Sequence, residues 1–216
     1  MTTPAELIIL NVTKIRDNSI VVHTLSREFG RRSFLTGVRI GSSTAMFLPM
    51  NIVEADIKSN DKSDFWRASN FNCTTPLSGI RGNLYKNSMT LFLSEVLYRT
   101  LKDGVNEDGL FDWCKGMILL LDSLEKDFSN FHIRFLAEFA SVLGFAPSAE
   151  GLMPFAGERY QDLSKMVETS FAESMLIPLS GEKRNEMAEI LIRFISHHSD
   201  SVINVQSLKV LRELFK

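Results

Sequence analysis

The side chains that could perform acid–base or metal chemistry are few in this sequence and poorly grouped. Two histidines, His197 and His198, are adjacent, so on a helix their side chains would diverge by about 100° and could not easily share a metal ion. The two cysteines, Cys73 and Cys114, lie far apart and form no CxxC pair, which argues against a disulfide scaffold and a four-cysteine zinc site. We therefore expect no metal site and no cofactor.

The motifs of common enzyme classes do not occur in the sequence. It contains no phosphate-binding loop of the GxxxxGK(S/T) type, no HExxH and no GxSxG. Carboxylates such as Glu186 and Glu189 are scattered along predicted helices, in a pattern typical of solvated faces. The sequence therefore predicts a binding protein that is not an enzyme.

The distribution of charge indicates where a ligand would bind. The 216 residues carry a net charge of −2, but residues 1–43 contain six Lys or Arg against three Asp or Glu. An excess of this kind favours an anionic partner for the N-terminal part. A chance fluctuation of a few charges explains it about equally well.

The elements that would position these side chains fall into two groups. Five apolar or β-branched runs, separated by turn sequences, predict strands over 6–15, 19–25, 32–38, 47–57 and 65–71. Five short strands fit a Greek-key barrel of the OB type, and an SH3-like barrel fits nearly as well. Apolar steps of three and four then predict helices over 84–101, 107–125, 130–143, 159–170, 182–197 and 204–215, with a Pro/Gly loop over 146–158.

The predicted fold is therefore α+β, with an N-terminal OB-fold β-barrel over residues 1–78 and an all-α helical domain over residues 79–216. OB barrels hold nucleic acid single strands with a charged groove and aromatic side chains on which bases stack. We expect Phe34 to fill the barrel and Phe29 to be exposed in a turn, while the sequence does not decide the position of Trp66. The candidate nucleic-acid-binding residues are Lys14, Arg27, Arg31, Arg32, Arg39 and Phe29.

The segment 8–43 resembles the N-terminus of the RecO family of DNA repair proteins. The similarity is carried by the turn at 16–19, the LSREFG turn at 25–30, and Gly37-Val38-Arg39. Three helical segments, LFLSEVLYRTLKD (91–103), LFDW (110–113) and NFHIRFLAEFASVLGFAPS (130–148), resemble the form of the family found in Bacteroides-type bacteria. The resemblance covers nearly the whole chain.

The resemblance implies a recombination mediator that binds single- and double-stranded DNA and anneals complementary strands. With the partner RecR, such proteins help load the recombinase RecA onto DNA coated by single-strand binding protein (SSB). This chain departs from the family at the end of the third strand, where Thr36 replaces a Lys and Ile40-Gly41 follow Arg39. The basic patch is therefore thinner than in the family, and a protein–protein adaptor with weak or lost DNA binding is the alternative.

The resemblance also implies that the helical domain binds the acidic, apolar C-terminal tail of SSB. Such a tail needs an apolar pocket rimmed by Lys or Arg, and the candidates are Arg99, Arg134, Lys183, Arg184 and Arg193. Some family members carry a four-cysteine zinc module in this domain, which Cys73 and Cys114 do not fit. The sequence has no signal peptide pattern and no apolar run of about 20 residues, so we expect no membrane contact and a cytoplasmic location.

Overall fold

The computed structural model of this chain describes residues 2–37, 44–59 and 66–214. Its strands are β1 (Thr3–Arg16), β2 (Ser19–Ser26), β3 (Gly30–Gly37), β4 (Ile52–Lys58) and β5 (Trp66–Cys73), with a short 3-10 helix at Ala45–Phe47. Its helices are α1 (Ser78–Arg81), α2 (Leu84–Thr100), α3 (Leu110–Ser123), α4 (Phe131–Val142), α5 (Ala149–Ala156), α6 (Tyr160–Glu168), α7 (Phe171–Met175), α8 (Gly181–His198) and α9 (Ser207–Leu214), with a second 3-10 turn at Gly157–Arg159.

The five strands close into a barrel in the order β1-β2-β3-β5-β4. Four of the neighbouring pairs are antiparallel, whereas β3 and β5 run parallel and, within the described residues, pair at Phe34 with Trp66 and at Leu35 with Arg67. A five-stranded Greek-key barrel with one such short, partly open closure is the OB fold. The predicted OB barrel followed by helices is confirmed, and the SH3-like alternative is set aside.

Apolar side chains at alternate positions of the strands fill the barrel interior, because every second side chain of a strand faces the same way. Phe34 is fully buried, as predicted, and packs with inward-facing residues of all five strands. That cluster comprises Ala5, Leu7, Ile9, Val22, Phe34, Val53, Ala55, Ile57 and Ala68.

Two local predictions were wrong because a single polar side chain, by hydrogen bonding to the backbone, sets the local structure there. The strand predicted over 47–57 begins only at Ile52, since the side-chain amide of Asn51 donates to the carbonyls of Ala45 and Met46 and holds a turn there. The predicted loop 146–158 contains α5, whose N-cap Ser148 accepts a hydrogen bond from the backbone N–H of Gly151.

The chain packs as two compact units. The barrel unit comprises Met1–Ser78 together with Leu101–Ile118, and the helical unit comprises Gly79–Thr100 together with Leu119–Lys216. The segment 101–118 thus packs with the barrel, although it follows α2 in sequence. That residues 1–78 and 79–216 are two domains that fold independently stays a prediction.

The helical unit is built around the aromatic stripe of α4. Phe131, Phe135 and Phe139 are each almost completely buried, as the spacing of three and four predicts. The Glu95 carboxylate of α2 accepts hydrogen bonds from the backbone N–H groups of Gln206 and Ser207. These contacts satisfy free N–H groups at the start of α9 and fix the last helix on α2.

Candidate nucleic-acid interface

A row of polar side chains crosses the outer face of β1, β2 and β3. The imidazole of His23 lies 3.0 Å from the Thr13 hydroxyl and 2.8 Å from the Ser33 hydroxyl. The Ser33 hydroxyl in turn donates to the Asp103 carboxylate at 2.6 Å. Arg31, with a side chain only 9% exposed, donates to both Ser33 and Asp103. Asp103 therefore neutralises a guanidinium that the charge distribution along the sequence suggested for DNA binding.

Burial and, to a smaller extent, the positive charge of Arg31 together lower the pKa of His23 to about 4, against an opposing effect of Asp103. His23 is therefore neutral at pH 7 and adds no positive charge to this face.

The segment after α2 is hydrogen-bonded to the start of β3. The backbone N–H of Arg31 donates to the Val105 carbonyl at 3.1 Å, and the N–H of Gly104 donates to the Arg31 carbonyl at 2.8 Å. Gly30 permits this approach, because its φ is +59° and a Cβ there would lie 2.1 Å from the Val105 oxygen. The position of Arg31 is thus fixed by backbone packing as well as by charge.

Arg27 is also held by a carboxylate. Its Nε donates to one Asp112 oxygen at 3.2 Å, its Nη2 donates to the other oxygen, and its guanidinium carbon lies 4.9 Å from the centroid of the Phe111 ring. The hydrogen bond to Asp112 raises the pKa of Arg27, and the same bond lowers the pKa of Asp112. Both side chains are more than half exposed, so an incoming phosphate can compete with the carboxylate.

Arg32 lies over the first of three aromatic rings that contact one another in series at the barrel. Its guanidinium carbon lies 3.8 Å from the centroid of the Trp66 ring. Trp66 contacts Phe29 edge-to-face at 5.3 Å, and Phe29 contacts the core residue Phe34 at 6.4 Å. Phe29 is therefore half-buried against the core, not exposed in its turn as predicted. Arg32 forms no ion pair within the described part of the chain.

The remaining candidates of this set lie apart. Lys14 forms an exposed ion pair with Asp17 at 3.1 Å, across three residues. Arg39 lies outside the described residues. The structure thus brings Arg27, Arg31 and Arg32 to the turn end of β2 and β3, and carboxylates from the segment 101–118 neutralise two of them.

Two cations that were not among the sequence candidates, Lys58 and Arg67, stand side by side on the outer face of β4 and β5. They are directly opposed in the strand register and both are exposed. They line a cleft of about 890 Å³ beside β3. The sequence signal for them is weak, because register between distant strands is not encoded in local periodicity.

The five basic candidates of the helical unit do not converge. Arg134 donates to the Met166 and Thr169 carbonyls at the end of α6, and Lys183 pairs with Asp162 at 3.0 Å. Arg193 reaches the Phe155 carbonyl at 3.4 Å, and Arg99 lies 3.8 Å from Glu95. Arg184 lines a surface groove.

That groove, which we call the α7 groove, consists of two adjoining depressions beside α7, of about 440 and 480 Å³. Arg184 lines the first and Lys126 the second, and Asp127, Met175 and Leu176 line both. Asn130 fixes its wall, since its amide donates to the Ser174 and Ile177 carbonyls and accepts from Arg184. Leu176 is 67% exposed, which leaves an apolar side chain available to a ligand.

The described residues contain no cluster of metal ligands, and the buried cysteine is held as a thiol. Among them, no three His, Cys, Asp or Glu side chains lie close enough to hold a metal ion. Burial raises the pKa of the Cys114 thiol to about 12, so it is not nucleophilic at neutral pH. No helix found in those same ranges is long and apolar enough to cross a membrane.

Comparison with known proteins gives consistent matches over the whole chain. The family model described as "Recombination protein O C terminal" matches residues 81–151. A DNA repair protein RecO from Phocaeicola vulgatus is 27% identical, with 96% of this chain and 97% of the relative covered. Proteins of the same name from Flavobacterium psychrophilum (24% identical, both chains fully covered) and Bacteroides fragilis (26% identical, 96% and 97% covered) are also similar.

Proposed function

We propose that this chain, which is similar over nearly its whole length to DNA repair proteins RecO from Bacteroides and its relatives, belongs to that family, and that its barrel binds DNA and anneals complementary strands. The observation that carries the proposal is the Arg32 guanidinium stacked 3.8 Å from the Trp66 ring on an OB barrel. Guanidinium and aromatic planes at such a barrel are surfaces on which unpaired bases stack, and the cation attracts the phosphates. Annealing needs no covalent step, since base pairing supplies the energy once phosphate repulsion is offset.

Fluorescence anisotropy with a labelled single-stranded oligonucleotide tests DNA binding by the barrel. Arg32→Gln should weaken binding and flatten the salt dependence by about 0.7 in log–log slope, the loss expected for one single-strand phosphate contact. Arg99→Gln, which removes an exposed arginine of the helical unit, is the matched control and should change little. Absence of binding by the wild type at low salt would contradict the proposal.

A protein–protein adaptor with weak DNA binding is the second candidate function. It is favoured by the carboxylates of Asp103, Asp112 and Asp17, which neutralise three of the cations expected to contact DNA. The same anisotropy titration separates the two functions. An adaptor would show no saturable binding of oligonucleotide below about 100 µM at physiological salt, within the range of non-specific affinity.

The proposed partner of the helical unit is the acidic, apolar C-terminal tail of SSB, bound in the α7 groove. The exposed Leu176 supplies apolar surface and Arg184 a half-buried cation that faces this groove. Two acidic side chains, Glu125 and Asp127, also line it, so binding should require the cations to contact the tail carboxylates directly.

A fluorescent tail peptide titrated with the full chain tests this partner. Leu176→Ser should weaken peptide binding, because it removes apolar surface that is 67% exposed. Met153→Ser, at another apolar position that is 59% exposed, should leave peptide binding unchanged. Equal effects of the two substitutions would exclude the α7 groove.

The proposed mediator role is completed by RecR, with which the protein would help load RecA onto SSB-coated single strands. The cytoplasmic location predicted above belongs to this same proposal. RecA-dependent ATP hydrolysis on SSB-coated DNA, measured with and without RecR, tests the role. The lag before hydrolysis should shorten only when this protein and RecR are both present, and an unchanged lag would contradict it.

A further inference from the structure

The cleft at the seam between β3 and β5 has the composition of a phosphate site. It is lined by Lys58 and Arg67, by polar groups of Ser19, Thr36, Ser69 and Asn70, and by the rings of Phe47 and Phe71. Every one of these residues belongs to the barrel unit. Among the described residues no carboxylate lines the cleft, in contrast to the surroundings of Arg27 and Arg31.

Lys58 and Arg67 are directly opposed across β4 and β5. Directly opposed side chains have Cβ atoms about 5 Å apart, and like charges in that position destabilise a sheet. Neither cation forms an ion pair with a residue that the structure describes. An anion placed between the two cations would lower their mutual repulsion.

The floor of the cleft is shaped by a bulge in β5. Glu54 pairs with Asn72 and Asp56 with Ser69, so two residues of β5, Asn70 and Phe71, oppose one residue of β4. Asn70 adopts a φ of +55° and its amide donates to the Asp56 carboxylate at 2.7 Å. Bulges re-aim side chains beside functional sites, and here the Phe71 ring turns toward the core and packs edge-to-face on Phe47 at 5.0 Å.

From this geometry we infer that the β3–β5 cleft binds the phosphate backbone of single-stranded DNA, with Lys58 and Arg67 as a pair of phosphate contacts. This inference rests on the proposed DNA binding and assigns it to residues outside the Arg27–Arg32 region. Paired cations beside half-buried rings are the two components of a single-strand groove. Among the described residues, β3 and β5 pair at two positions, Phe34 with Trp66 and Leu35 with Arg67, and the cleft lies beside this pairing.

Charge reversal in the full-length protein separates a ligand site from a structural role. In Lys58→Glu, the new carboxylate pairs with Arg67 across the strands, so thermal stability should stay equal to that of the wild type or rise. Affinity for an oligothymidine at low salt should nevertheless fall at least about tenfold, since one phosphate contact is lost and a repulsive charge is added. Lys102→Glu, an exposed lysine of the barrel unit outside the cleft, is the matched control and should lose far less.

Neutralising substitutions provide a second readout that does not depend on the new ion pair. Lys58→Gln and Arg67→Gln should each flatten the salt dependence by about 0.7 in log–log slope. The cleft assignment would be overturned if the wild type binds oligothymidine but the Lys58 and Arg67 variants lose no more affinity than Lys102→Glu. That outcome would leave the proposed function intact. Wild-type protein that binds no oligothymidine would overturn both, and a loss confined to duplex DNA would overturn the single-strand assignment.

Discussion

Arg27 and Arg31 illustrate how single side chains change role once the chain is folded. Each guanidinium that the sequence offers to a phosphate is bound instead by a carboxylate of the segment 101–118. Arg31 is nearly buried in that contact, whereas the Arg27–Asp112 pair is exposed. The Arg31–Asp103 pair therefore fixes the segment on the barrel, and the Arg27–Asp112 pair remains open to exchange for an anionic ligand.

Asp112→Asn should increase DNA affinity by freeing Arg27. Without the carboxylate, the Arg27 guanidinium can form one more phosphate contact, so the salt dependence for a single-stranded oligonucleotide should steepen by about 0.7 in log–log slope. Asp108→Asn, an exposed neighbour in the same unit, makes the same change in net charge and serves as the control. If both variants behave alike, Asp112 does not mask Arg27.

Gly30→Ala should destabilise the protein by about 2–5 kcal/mol, because left-handed backbone strain adds to a clash between the new Cβ and the Val105 carbonyl. Gly104→Ala separates the two effects. Gly104 has a φ of +80°, but among the described residues no atom lies within 4 Å of the point where its Cβ would stand. Urea unfolding of both variants should show the larger loss for Gly30, and equal losses would exclude the clash.

Among the strands, the bulge in β5 decides which face each residue of that strand occupies. One extra residue shifts the alternation, so Asn70 faces solvent and Phe71 packs on the core. A one-residue change of register moves every later side chain to the opposite face. The bulge is therefore what places the Asn70 side chain in the polar lining of the β3–β5 cleft.

Asn70→Val tests the dependence of the bulge on a left-handed residue. A β-branched side chain at a φ of +55° is strained, and we expect a loss of about 1–3 kcal/mol in unfolding free energy together with weaker oligonucleotide binding. Asn70→Gly, which suits this φ but removes the hydrogen bond to Asp56, should retain most of the stability. The reverse order of stabilities in urea would show that the hydrogen bond, and not the backbone, sustains the bulge.

For the protein as a whole, buried neutral histidines make stability depend on pH. Burial lowers the pKa of His132 to about 3, with Arg184 acting in the same direction, and that of His23 to about 4. Above a pH of about 6.5 these groups are neutral in both the folded and unfolded states. Below it the unfolded chain binds protons that the folded protein does not, so stability is lost as the pH falls toward the folded pKa values.

Urea unfolding at pH 7 and pH 4.5 measures this linkage. His132 alone should lower the unfolding free energy by about 2–3 kcal/mol over that interval, and the half-buried His23 by less because solvent screens it. In His132→Phe the loss should shrink, whatever the stability of the variant at pH 7. The same pH dependence in His132→Phe and in the wild type would rule out His132 as its source, and His197→Gln, at an exposed position, is the control.

Most of the elements and their buried faces could be predicted from residue patterns, because hydrophobic periodicity is local. The patterns place Phe34 inside a five-stranded barrel and the Phe131–Phe139 stripe in a helical core, and they locate the change of period near residue 80. The motifs and their order also predict the similarity to RecO proteins that the comparisons show. The errors at 47–51 and 149–156 arise where one capping or turn side chain outweighs the pattern.

Which charges are available to a ligand became known only from the folded chain. Arg27 and Asp112 are 85 residues apart in sequence, and Lys58 and Arg67 meet only through the register of β4 and β5. Ion pairing and register depend on contacts between distant segments, which local residue patterns do not specify. Within the described part of the barrel, Arg32 on β3 and the opposed Lys58 and Arg67 on β4 and β5 form no ion pair, whereas charge counting along the sequence points to β2 and β3 alone.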